Sequence, residues 1–118
     1  MKSQGLRDTM NFQEIKAFCA KIIREEFAAA DVCIKQIILF GSQSHDGAKP
    51  DSDWDFLVCV NKELSYAEKT IISTKIQSRL AEKFISADVI VKSEAKLMQE
   101  RGNVGVITYY ALKDGVMV

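Results

Sequence analysis

The sequence predicts a small α/β (α+β) domain, a mixed β-sheet with helices packed on it. Two long stretches, near 11–30 and 65–85, repeat their apolar residues every three or four positions, the period of a helix with one buried face. Short runs at 33–40, 53–60 and 87–91 are rich in β-branched and aromatic residues and too short for helices of usual length. The order helix, strand, strand, helix, strand, helix is that of a small layered fold.

Met1 to Thr9 has no periodicity, and the chain reads as flexible to about residue 10. In the first helix, Phe12, Ile15, Phe18, Cys19, Ile22, Ile23 and Phe27 form the buried face, with Asn11 as N-cap. Cys33 to Phe40 reads as a strand whose Ile-Ile-Leu-Phe end suits a central place in the sheet. Gly41 to Ser52 is a loop holding the only proline, Pro50, and Asp53 to Val60 is the second strand. Ser65 and Glu68 have capping-box spacing, opening a helix to about Ile85. Its ridge is Ile72, Ile76, Leu80 and Phe84, joined by Ala81 and Ile85. Ala87 to Val91 is a third strand, Ser93 caps a helix to about Glu100, Val104 to Leu112 reads as helical, and Gly115 to Val118 as a final strand. With no internal repeat or linker, residues 1–118 read as one domain.

Composition narrows the function classes. Of 118 residues, 47% are hydrophobic and 27% charged, the profile of a soluble globular chain. Sixteen basic and sixteen acidic residues cancel, which gives no support to a broad nucleic-acid surface. No apolar run approaches the ~20 residues that cross a bilayer, and no signal-peptide pattern opens the chain, so a cytoplasmic protein is expected. Cys19, Cys33 and Cys59 lie in apolar segments without Cys-x-x-Cys spacing, and the single His45 completes no zinc set. They are read as buried free thiols.

The chemistry is written in the carboxylates. Side chains alternate across a strand, so Asp53 and Asp55 project from one face, roughly 7 Å apart at the backbone, while Trp54 points into packing. Two carboxylates so placed can share one hard cation or hold one each of a pair. Asp88 sits one residue into the next strand and reaches the same pocket if the two strands are neighbours. Gly41-Ser42, directly after the first strand, allows backbone N–H groups to approach an anion closely, and the Ser42 hydroxyl can donate to a phosphate oxygen.

Gly41-Ser42, ten residues, then Asp53-x-Asp55, and later Ala87-Asp88-Val89, resembles the minimal nucleotidyltransferases of the DNA polymerase β superfamily. Ala48, Pro50, Asp51, Ser52 and the closing Tyr109 to Gly115 segment add to the likeness, which spans Ile37 to Val118. The resemblance implies a polymerase β-like fold and Mg²⁺ held by Asp53 and Asp55, with Asp88 completing the site and acting as general base. It also implies that Gly41 and Ser42 hold the phosphates of a nucleoside triphosphate, with Ser52 nearby. The implied reaction is transfer of AMP from ATP to an acceptor hydroxyl. In this family the common acceptor is a tyrosine of a helical HEPN-type toxin, for which the nucleotidyltransferase is the antitoxin. One departure bears on rate: Gln43 and His45 stand where members often carry arginine, so fixed positive charge near a triphosphate is reduced. Two other readings stay open, a nucleotidyltransferase for a small molecule such as an aminoglycoside, and a non-catalytic domain that masks a helical partner. The sequence leaves homo-oligomerisation open as well.

Overall fold

The computed structural model describes residues 10–41, 53–103, 111–113 and 115–118. The elements run α1 (Phe12–Ala29), β1 (Ile34–Phe40), β2 (Trp54–Val60), α2 (Tyr66–Ala81), β3 (Ala87–Ser93), α3 (Glu94–Glu100) and β4 (Val116–Met117). The sheet order is β3-β2-β1-β4. β1 runs antiparallel to β2 and β4, and β2 runs parallel to β3, so the sheet is mixed as the sequence predicts. Parallel neighbours need a crossover, and α2 is that crossover.

Alternation sorts the strand residues into two cores. Ile37 and Leu39 of β1 with Trp54, Phe56, Val58 and Val60 of β2 meet Ile15, Cys19, Ile23 and Phe27 of α1 and Ile72, Ile76 and Leu80 of α2. On the other face Ile38, Phe40, Leu57 and Cys59 pack with Leu97 of α3 and Ala111. β1 and β2 are covered on both faces, which is why their ends read as unbroken apolar runs.

Both long helices begin with reciprocal caps. Asn11 Oδ1 accepts from Glu14 N–H at 2.8 Å and Glu14 Oε1 accepts from Asn11 N–H at 2.8 Å, a box the sequence reading had only in half. Ser65 and Glu68 make the same exchange. Arg79 of α2 reaches Glu25 and Glu26 of α1 at 2.8 and 2.9 Å, tying the two helices across the surface.

Three expectations need correction. α2 ends at Ala81, four residues before Ile85, and Ala81 and Phe84 are exposed while Ile85 is buried. The stop is a Schellman turn: Ile85 N–H donates to Leu80 O at 3.0 Å and Phe84 N–H to Ala81 O at 2.9 Å. Phe84 takes the left-handed conformation, φ 61°, that glycine fills in most such caps; an L side chain there costs about 1–2 kcal/mol. Cys33 is exposed, because it lies ahead of β1 and outside both cores, whereas Cys19 and Cys59 are buried as expected. β3 runs two residues further than expected, to Ser93, where the Ser93 hydroxyl also caps α3 by accepting from Lys96 N–H at 3.1 Å. Of the expected helix at 104–112, residues 111 and 112 are helical, with the helical stretch running on to 113, and 104–110 lie outside the described residues, as does nearly all of the expected flexible start.

Candidate active site

Strand register assembles the carboxylates. Asp55 pairs with Asp88 across the parallel β2–β3 ladder, and with Phe40 across the antiparallel β1–β2 ladder. The end of β1 and the starts of β2 and β3 therefore share one end of the sheet. Asp55 alternates with buried Trp54 and Phe56, which face α1 and α2, and so projects from the face of Leu57 and Cys59. Asp53 and Asp88 are exposed and Asp55 is half-buried.

Gly41 closes the site on the β1 side. Its φ is 75°, and a Cβ on it would collide with the Asp55 carboxylate oxygen Oδ2. Only glycine lets the backbone come this close to the carboxylate. On the β3 side, Gln77 of α2 donates through its amide to Ala87 O at 3.0 Å and to Asp88 Oδ1 at 3.5 Å. Gln77 carries no signal in the sequence, where it is a single polar residue on a helix, and its role shows only with β3 beside it.

Among the described residues, negative charge gathers at this end of the sheet. Burial first, then the charges of Asp88 and Asp53, push the Asp55 carboxyl above its ordinary value. Among the described residues no lysine, arginine or histidine forms an ion pair with any of the three. Nor do any three acidic, histidine or cysteine side chains among them gather tightly enough to make a ready cage for a metal. Asp53 and Asp88 thus both oppose a negative charge on Asp55. Their donor set is nonetheless the one a hard divalent cation takes, oxygen only and in excess of negative charge, and the chain's residues fit such an ion. Ser42 and Ser52, the other two expected site residues, lie outside the described residues, together with Gln43 and His45.

A separate hollow of about 670 Å³ opens towards the other end of β1 and β2, between Lys35, Cys59, Leu97 and Arg101. None of the three aspartates lines it. Burial and the nearby Glu94 raise the Cys59 thiol, against an opposing effect of Lys35, so it is no ready nucleophile.

The family model for polymerase beta nucleotidyltransferases matches residues 10–117. The chain belongs to this family. The matched span includes every element from α1 to β4 and all three aspartates. The polymerase beta nucleotidyltransferase fold is also seen in a crystal structure of the toxin–antitoxin MntA-HpeT mutant, with a TM-score of 0.56 and 18% identity. That likeness covers 92% of this chain and 72% of the other. At such identity it is a likeness of fold. Among curated proteins no match was found.

Proposed function

We propose that this nucleotidyltransferase domain transfers AMP from ATP to a tyrosine hydroxyl of a helical toxin, with pyrophosphate as the leaving group, and is the antitoxin of that pair in the cytoplasm. The observation that carries the reading is the meeting of Asp53, Asp55 and Asp88 at one end of the sheet, with Gly41 pressed against Asp55. Asp53 and Asp55, with Asp88 completing the set, would hold a divalent cation such as Mg²⁺, which when bound supplies neutralisation of charge on the donor's phosphates. Asp88, exposed like Asp53, takes the proton from the acceptor hydroxyl, and Gln77 steadies it. The backbone at Gly41, with Ser42 and Ser52 of the loop, binds the phosphates. The likeness of fold to the toxin–antitoxin MntA-HpeT structure supports a toxin as the acceptor.

A non-catalytic, masking role draws on a different observation. Val116 and Met117 of β4 are exposed, Met117 by 69%, and offer an apolar edge to a partner. Tyr109 and Tyr110, expected to share that surface, lie outside the described residues.

The test uses ATP radiolabelled at the α phosphate, the full chain, and the product of the adjacent gene. Transfer of α label to that protein, with no transfer of γ label, is the expected result. Asp55→Ala should reduce labelling about a hundredfold or more. Label on an aminoglycoside instead would replace the acceptor, and tight partner binding without label or ATP binding would establish masking.

A further inference from the structure

The first strand breaks its own alternation at one residue. Ile34 stands opposite Val60 and Gln36 opposite Cys59, so Lys35 is an extra residue, a β-bulge. Counted back from Ile37 and Ile38, unbroken alternation would turn Lys35 towards α1 and α2 and Ile34 away from them. The bulge reverses both. Ile34 packs against the core under α1 and α2, and Lys35 joins Gln36 at the hollow of about 670 Å³. Bulges of this kind re-aim a side chain, and here the side chain is a cation.

α3 supplies a second cation. Arg101 follows its last residue and lines the same hollow, donating to Met98 Sδ at 3.6 Å. Among the described residues neither Lys35 nor Arg101 forms an ion pair. Lys113 lines the hollow as well, and among the described lining residues Glu94 is the one carboxylate. The lining is therefore net positive in a chain whose formal net charge is zero. Leu97 and Leu112 give it apolar walls, and Met98 is exposed beside them.

The hollow shares the face from which Asp55 projects. Cys59, which lines it, lies four residues beyond Asp55 on β2, about 13 Å at ~3.3 Å per residue. That face carries charge of opposite sign at its two ends. The aspartate end repels an acidic chain, and the end with Lys35 and Arg101 attracts one.

We infer that this hollow is a docking subsite for an acidic segment of the acceptor protein. A carboxylate of the segment sits between Lys35 and Arg101, and a neighbouring apolar side chain packs on Leu97 and Leu112. The inference rests on the transfer reading above and adds to it the chemistry of the acceptor and the direction in which it lies. About four extended residues, or about nine of a helix, span the distance from the hollow to the carboxylates. The acidic segment is that far along the acceptor from the hydroxyl offered to Asp88.

The test follows backbone amide resonances of the full, isotope-labelled chain, free of metal and nucleotide, during titration with the end-blocked peptide Asp-Glu-Leu-Asp. End-blocked Lys-Lys-Leu-Lys and AMP are the controls. Shifts should centre on Gln36, Cys59, Leu97 and Arg101 with the acidic peptide alone. Lys35→Glu, at an exposed position, should keep the melting temperature and weaken acidic-peptide binding about tenfold or more. Lys75→Glu, the same change of charge at an exposed position of α2, should leave that binding unaltered. Equal binding by Lys35→Glu, equal weakening by Lys75→Glu, or no shifts at the hollow would each overturn the assignment. Shifts there from the basic peptide would overturn it too, and shifts there from AMP would make the hollow a nucleotide pocket instead. Because the titration involves no metal, nucleotide or transfer, failure to label an acceptor would count against the transfer reading and not against the acidic docking subsite.

Discussion

Asp55 is held in the folded state against its electrostatic preference. Burial, Asp88 and Asp53 all push its carboxyl above the ordinary range, so the protonated form suits the fold better than the ionised one. For a carboxyl raised on folding, the neutral form's stabilisation is full below the unfolded value, near ~3.9. It is lost as pH rises through the raised folded value. At neutral pH the ionised group opposes folding. Asp55→Asn cannot ionise, and should unfold at a higher denaturant midpoint than the parent at pH 7, by about 0.5–1 kcal/mol, a figure kept small by partial exposure. Below about pH 4 the two proteins should converge; a gap that persists or widens there would show that charge is not its origin. Period-two alternation made the Asp53–Asp55 pair readable from sequence, because it needs no knowledge of neighbours. The opposition of Asp88 to Asp55 is a matter of strand register, which spacing alone does not determine; the place of Asp88 at the start of its strand predicts it only if β2 and β3 are neighbours, and they are. Nothing in the sequence marks Gln77, and the apolar neighbours of Cys33 say little about burial of a residue outside the strand.

Helix starts and stops in this chain differ in how they are encoded. Asn11, Ser65 and Ser93 each accept from the N–H three residues on, and each is a residue type that does little else before an apolar period. The end of α2 has no glycine or proline to announce it. Phe84 continues the i, i+4 ridge on paper, and only the turn's geometry reverses it into solvent. The end of β3 is hidden for a related reason: Lys92 and Ser93 are polar but lie in register with Cys59 and Val60. Its open edge is served by α2, since Gln77 donates to Ala87 O and Ser73 to Val89 O at 3.5 Å. Energetically α2 depends far more on its buried ridge than on its cap or its surface charges. Ile76→Ala, at a fully buried position, should lower stability by about 2–5 kcal/mol. Ser65→Ala should lower it by about 1 kcal/mol, and Arg79→Ala, whose ion pairs with Glu25 and Glu26 lie at the surface, by much less than Ile76→Ala. Urea titrations of the three variants check the order; an Arg79→Ala loss rivalling that of Ile76→Ala would mean that α1 and α2 are held together by charge.

At the scale of the molecule, the fold spends stability to keep three carboxylates together. The two cores enclose β1 and β2, and this scaffold absorbs the repulsion at one end of the sheet. Whatever relieves that repulsion must stabilise the whole domain, because a ligand bound only by the folded state shifts unfolding by mass action. Mg²⁺ or Mn²⁺ at a hundredfold excess over its dissociation constant should add about 2.7 kcal/mol to the parent, read as a rise in melting temperature. The gain should fall sharply in Asp55→Asn, which has lost both a ligand and the repulsion the cation relieves. In the parent the cation should also flatten the decline of stability with rising pH that ionised Asp55 imposes. Equal cation effects on parent and variant would place the ion elsewhere on the surface. No effect on either would mean that the aspartates gather a cation only once a nucleotide brings its own phosphates, and the same melting series with Mg-ATP in place of Mg²⁺ distinguishes that case.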